Sequence, residues 1–271
     1  MNYRHSFHAG NFADLVKHAL VLWLMKTRQA AGPLTVFDTH AGAGLYDLSG
    51  DGVRSKEAEA GVARLISAEG RTPLMDTLAA EVAALNPDGG ARFYPGSPLL
   101  IADALTPGGR YVGFELNPPV RALLAEALTG RADAEAREGD GYAAVVAEAA
   151  TVRGPLVLID PPFEKPDDYI RSAETAISVV RRDPEATVAI WTPLKDLETF
   201  DGFIRRLQGK AGPTLVAEAR LRPLTNPMKM NGCAMVVVNP PAGAEAAANE
   251  ICGWVAGALG EAGGRAEVWT F

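Results

Sequence analysis

The sequence predicts one α/β domain on a mostly parallel sheet, interrupted by a small helical insertion. Three observations carry this. Short apolar runs alternate with helical patterns along the chain. Four acids, Asp38, Glu115, Asp140 and Asp160, each stand at or just past the end of a strand. The run Leu156-Val157-Leu158-Ile159, set between Gly154-Pro155 and Asp160-Pro161, has the length and composition of a strand buried on both faces.

In chain order, Phe12, Leu15, Val16, Ala19, Leu20 and Trp23 recur at helical spacing, which predicts a helix over 11–30, capped by Asn11 and stopped by Gly32-Pro33. Tyr3 to Gly10 before it reads as a polar, aromatic terminus. Leu34 to Asp38 is a short buried strand, followed by Thr39-His40-Ala41-Gly42-Ala43-Gly44, whose glycines permit a tight turn and close approach of a ligand. Residues 46–95 break the strand–helix rhythm. Two helical stretches there, Lys56 to Ala68 and Pro73 to Leu85, read as the insertion, with no further strand expected before Tyr111. Ser97 and Pro98 suit the N-cap and first position of the next helix. Strands follow at Tyr111 to Glu115, Ala134 to Arg137, Leu156 to Ile159 and Thr187 to Thr192, with helices at Val120 to Leu128, after Asp140, and at Asp167 to Arg182. An antiparallel pair, Thr214 to Leu221 and Cys233 to Val238, and a helix from Ala244 to Leu259 close the chain. No repeat or linker divides it, so 1–271 is expected to be a single domain with the insertion at 46–95.

Bulk properties narrow the function. The 48% apolar and 22% charged composition is that of a soluble globular protein, and no run approaches the roughly 20 apolar residues of a membrane span. Cys233 and Cys252 lack ligand-like spacing, which suggests a reducing cytoplasm. A net charge of −7 argues against coating nucleic acid non-specifically. Residues 1–30, however, hold Arg4, Lys17, Lys26 and Arg28 against Asp14 alone, so a local basic surface is expected there. His5, His8 and His18 have no acid or cysteine cluster beside them, and no metal site is expected.

Strand ends of a parallel sheet share one edge, so the four acids line a single cleft. Acids there suit a cofactor bearing hydroxyls, an amino group and positive charge. S-adenosylmethionine fits; nucleotide phosphates would be repelled, and no P-loop motif is present. Glu115 stands where an acid holds ribose hydroxyls. Asp140 either caps the following helix or accepts from an adenine amino group. A nicotinamide reading shares Gly-x-Gly and an acid after the second strand, but Asp47 stands where its third glycine belongs. Asp160-Pro161-Pro162-Phe163 leaves the sheet as a stiff turn with unpaired carbonyls. A carboxylate, a carbonyl and an aromatic ring together suit a planar amine such as that of a nucleobase.

With these residues in view, the chain resembles the bacterial 23S rRNA adenine-N6 methyltransferases. Asp160-Pro161-Pro162-Phe163 is similar to the amino-methyltransferase signature. The N-terminal run Met1 to His18, Asp38 to Gly44, Tyr94 to Pro98 and Gly139 to Tyr142 resemble the family, and Met230 to Met235 through Asn239-Pro240-Pro241 does so more loosely. The resemblance implies a Rossmann-like class I S-adenosylmethionine-dependent methyltransferase acting on 23S rRNA; separately, no obligate protein partner is evident, and a monomer is expected. The resemblance further implies that His18, His40, Gly42, Ser97, Glu115, Asp140, Gly141 and Asp160 bind or line the cofactor. Residues 1–30 become a substrate- and cofactor-binding segment in which Tyr3 touches the RNA. Asp160 and the Pro161 carbonyl orient the amine, and Phe163, where the family commonly has Tyr, stacks on the base. RNA rather than DNA is implied by the resemblance alone. An N6-adenine or other amino methyltransferase acting on DNA, a binding module without catalysis, and an NAD-dependent oxidoreductase are the competing readings.

Overall fold

Apolar runs too short for helices, bounded by Gly and Pro, become the strands of a central sheet. A computed structural model describes residues 8–49, 56–165, 167–225 and 230–271. The chain runs through α1 (Phe12–Gln29), β1 (Thr35–Asp38) and β2 (Leu45–Asp47). A π-helical turn (Glu59–Ala63) then leads into α2 (Arg64–Ser67), α3 (Pro73–Ala84), β3 (Phe93–Pro95) and α4 (Ser97–Ala104). It continues with β4 (Arg110–Glu115), α5 (Pro118–Ala127), β5 (Ala134–Glu138), α6 (Gly141–Glu148), β6 (Leu156–Ile159) and α7 (Asp168–Arg182). Last come β7 (Thr187–Leu194), α8 (Leu197–Leu207), β8 (Thr214–Arg220), β9 (Gly232–Val238), α9 (Ala244–Leu259) and β10 (Arg265–Thr270).

Eight strands form one sheet in the order β10-β8-β9-β7-β6-β1-β4-β5. β5, β4, β1, β6 and β7 are parallel, whereas β9 runs antiparallel between β7 and β8. Successive crossovers go one way from β1 to β4 and β5, then the other way to β6 and β7. The switch point is therefore the crevice at the carboxyl ends of β1, β4 and β6, where such sheets bind ligands. One face packs on α1, α4, α9 and the insertion. The other packs on α6, α7 and α8. Among the described residues, no helix is long and apolar enough to cross a membrane.

Three expectations need correction. The chain does not close on α9: β10 follows and pairs antiparallel with β8, its alternating polar residues matching a half-covered edge strand. A strand pair precedes Tyr111, because β2 and β3 pair as a two-stranded ribbon at the base of the insertion. Ser97 is not the N-cap of α4; Gly96 is, and Ser97 is the first helical residue, its hydroxyl engaged elsewhere.

Candidate active site

β1, β4 and β6 end together, and their exits are tied by main-chain bonds: Thr39 N–H donates to Leu158 O at 3.0 Å, and Ala41 N–H to Phe114 O at 3.0 Å. The four acids foreseen at this edge lie around that junction, in different environments.

Asp160 follows the fully buried β6, and its side chain is only 8% exposed. The Lys17 ammonium donates to its Oδ2 at 2.6 Å and lies 2.8 Å from Asp14 Oδ1. Asp14 in turn accepts from the Gly10 N–H at 2.9 Å. Burial works against the charge on Lys17, but the attraction and hydrogen bonds of Asp14 and Asp160 outweigh it, and the ammonium is held well above its ordinary range. The basic surface expected of residues 1–30 is thus overturned in part. Lys17 is a buried bridge between two carboxylates, and Arg28 donates to Gly154 O at 2.8 Å. Lys17 is also the functional residue that sequence reasoning missed. The available signal was an acid and a lysine three residues apart on a helix whose other positions from Phe12 to Leu22 are apolar apart from His18. Polar groups on such a helix have to pair.

Asp38 is fully buried. Its Oδ2 accepts from Ser97 Oγ at 2.9 Å and Tyr111 OH at 3.3 Å, and its Oδ1 from the His40 N–H at 3.2 Å. Burial pushes its carboxyl up to about 6, against the bond from Ser97 and with help from the Asp160 charge. His40 moves the other way, to about 4, because burial disfavours the imidazolium more than Asp160, Asp168 and Asp140 favour it. These shifts have opposite consequences for stability. Asp38 holds more protons folded than unfolded between about 3.8 and 6, so its contribution falls as pH rises through that window. His40 holds fewer folded than unfolded between about 4 and 6.5, so its contribution rises with pH. Each slope is at most about 1.4 kcal/mol per pH unit, and the two oppose each other. Asp38→Asn is expected to remove the falling limb, so that denaturant stability climbs more steeply from pH 4 to 6.5 than in the wild type. A wild-type slope in that variant would refute the assignment.

Glu115 Oε2 accepts from the Gly42 N–H at 3.2 Å and its Oε1 from the Asn117 N–H at 2.8 Å, joining the β1 turn to the end of β4. Gly42 has φ +68°, a conformation that favours glycine. Asp140 caps α6 through the Tyr142 N–H at 3.1 Å and pairs with Arg171, whose guanidinium lies 4.2 Å over the Tyr142 ring. That ring meets His40 edge-on at 4.7 Å. Gly141 is required by contact: a Cβ there would stand 1.9 Å from Thr39 O. Gly141→Ala is expected to cost about 1–3 kcal/mol through this clash. Calorimetry should show the melting temperature falling by ~2–4 °C per kcal/mol.

His18 is buried beside Lys17, its Nδ1 2.8 Å from Tyr94 OH and its ring stacked on that tyrosine. Pro161 is buried and Pro162 exposed. Among the described residues no N–H bonds to the Pro161 carbonyl. Phe163 adopts φ +49°, is 8% exposed, and packs at 4.6 Å from Tyr169 and 5.8 Å from Trp191. Its ring is therefore one wall of an aromatic cluster more than a free platform. Tyr3 lies outside the described residues.

The structure thus brings Asp160, His40, Gly42, Ser97, Glu115, Asp140 and Gly141 to one crevice, with Asp38 and Lys17 supporting it. Comparison with known proteins gives this arrangement a family. The model of the family described as "RsmJ: Ribosomal RNA large subunit methyltransferase D, RlmJ" matches residues 31–271. Ribosomal RNA large subunit methyltransferase J of Escherichia coli (strain K12) is 30% identical over 267 residues, covering 97% of this chain and 95% of that protein. Its namesake from Haemophilus influenzae (strain ATCC 51907 / DSM 11121 / KW20 / Rd) is 32% identical over 249 residues, covering 89% and 88%. A crystal structure of a Legionella pneumophila (str. Philadelphia 1) protein has the same fold, with a TM-score of 0.85 at 21% identity over 97% of this chain and 98% of that one. With its Rossmann-like class I methyltransferase fold and this match along nearly its whole length, the chain belongs to the RlmJ family of ribosomal RNA large subunit methyltransferases.

Proposed function

We propose that the chain transfers a methyl group from S-adenosylmethionine to the N6 amino group of one adenosine in 23S rRNA. The observation that carries this reading is Asp160, a nearly buried carboxylate at the end of β6, followed by a Pro161 carbonyl with no described N–H bonded to it. An exocyclic amine has two hydrogens, and this edge offers two acceptors in adjacent residues.

The crevice suits the cofactor on its own chemistry. Three carboxylates, Glu115, Asp140 and Asp160, line the crevice against the cations of Lys17 and Arg171, which suits a ligand bearing hydroxyls, an amino group and positive charge, and Gly42 and Gly141 leave the main chain open to close approach. Glu115 holds the ribose hydroxyls and Asp140 the adenine amine, while His18, His40, Gly42, Ser97, Gly141 and Asp160 line the remainder. S-adenosylmethionine supplies a methyl group made electrophilic by its sulfonium. The protein's own part is positioning. An aromatic amine is a poor nucleophile because its lone pair is shared with the ring. Asp160 and the Pro161 carbonyl accept its hydrogens, draw the nitrogen toward tetrahedral geometry and aim its lone pair. Asp160 then takes a proton as the nitrogen becomes cationic. The exposed edge of Phe163, held by Tyr169 behind it, meets the extruded base; such stacking contributes on the order of 1–3 kcal/mol. Tyr3 contacts the RNA from the N-terminal segment.

The test is tritium transfer from labelled S-adenosylmethionine to rRNA from cells lacking this protein, followed by nucleoside digestion. Label in N6-methyladenosine is expected. Label in another nucleoside, or calorimetric binding of NAD and not of S-adenosylmethionine, overturns the reading.

A further inference from the structure

Most described arginines are spoken for within the chain. Arg71, Arg92, Arg110, Arg121, Arg131 and Arg137 each pair with a carboxylate, and so do Arg153, Arg171, Arg220, Arg222 and Arg265. Arg28, Arg64 and Arg182 donate to main-chain carbonyls. Among the described residues, Arg181, Arg205 and Arg206 have neither kind of partner. All three are exposed.

These three occupy one region. α7 and α8 lie on the same face of the sheet, and each crosses back between parallel strands. Their C-terminal ends therefore share the edge opposite the active site. α7 ends in Arg181 and Arg182, and α8 in Arg205 and Arg206, with exposed Lys210 just beyond. Val179, Val180, Phe203, Ile204 and Leu207 carry the packing, so the cations face outward. Nearby acids offset part of this charge but occupy none of the three guanidinium groups. Asp183 accepts from the Gly154 and Glu185 main chain, and Glu185 pairs with Arg153. Asp201, exposed one turn before Arg205, makes no ion pair. On a chain of net charge −7, this is a concentrated positive surface whose guanidinium donors are free to fork onto phosphates.

We propose that the C-terminal ends of α7 and α8 form a docking surface for the phosphate backbone of a helical arm of the substrate RNA. The proposal rests on the reading of the chain as an rRNA methyltransferase. Thirteen residues of α7 separate Asp168, beside the active site, from Arg181, about 20 Å at 1.5 Å per residue. A mononucleotide or dinucleotide in the crevice does not reach that far; a folded arm of rRNA does. The surface gives affinity and orientation, leaving base recognition to the crevice.

The experiment compares the full chain with Arg181→Gln/Arg205→Gln/Arg206→Gln, and with a control neutralising the carboxylate-paired Arg92, Arg110 and Arg265. Binding to a 23S rRNA fragment is titrated across potassium chloride concentrations, and methyl transfer is followed on that fragment and on a short adenosine-containing oligonucleotide. The first variant is expected to lose about 0.9 of salt slope per duplex phosphate contact, roughly two to three in total. Its KM for the fragment should rise at least tenfold, with transfer to the short oligonucleotide unchanged. An unchanged slope, or an equal loss in the control, overturns the docking surface and leaves the arginines to another acidic partner. Absence of wild-type transfer to either RNA overturns the function reading itself, a distinct outcome.

Discussion

Asp160→Asn is expected to reduce single-turnover methyl transfer by roughly 10²–10⁴-fold, the usual range for loss of a positioned general base. The amide is close in size to the carboxylate, so its neighbours need not repack. Its NH₂ end, however, presents donors where the Lys17 ammonium and the substrate amine both require an acceptor. Cofactor affinity should fall far less than the rate, because Asp160 is only one of several residues around that pocket. Rapid-quench transfer and calorimetry on the same preparation separate the two effects. Unchanged turnover in a folded Asp160→Asn protein would remove the mechanism proposed above.

Lys17→Met should be the most destabilising single change in this region. It leaves Asp14 and Asp160 buried with no cation between them. Breaking a buried pair from one side costs on the order of 3–5 kcal/mol. At ~2–4 °C per kcal/mol, this corresponds to a fall in melting temperature of very roughly 6–20 °C. The paired change Asp14→Asn/Lys17→Met removes one of the stranded charges and should recover part of that loss. A double-mutant cycle by urea denaturation reads the coupling directly. Additive effects within about 0.5 kcal/mol would mean that the bridge contributes nothing to stability.

How much of this could be read from the chain depended on how local each feature was. β6 was legible because four apolar residues between glycine-proline and aspartate-proline admit one interpretation. Asn11 was legible as a cap because its Oδ1 bonds two N–H groups within three residues, at 2.9 and 3.1 Å. Ser97 was misread as a cap because its hydroxyl is drawn to Asp38, 59 residues away. Lys17 was placed on the surface because its partner Asp160 lies 143 residues away. α8 was passed over although Asp196 caps it through Thr199 N–H at 2.8 Å, a strong local signal masked by the turn-like residues around it. β10 escaped notice because an alternating edge strand at the end of a chain has little apolar content to mark it.

The insertion has a consequence for how this protein can be altered. Its π-helical turn meets the main chain ahead of α1: the Val62 N–H donates to Gly10 O at 2.8 Å, and a Cβ on Gly61 would collide with that same oxygen at 2.2 Å. Glu57 meanwhile accepts from Asn11 Nδ2 at 3.0 Å, gripping the residue that starts α1. An engineer trimming 46–95 to obtain a minimal catalytic unit would remove the floor beneath the helix that delivers Lys17 to Asp160. Residues 57–62 and the start of α1 are packed as one piece, so a change to either has to be matched in the other.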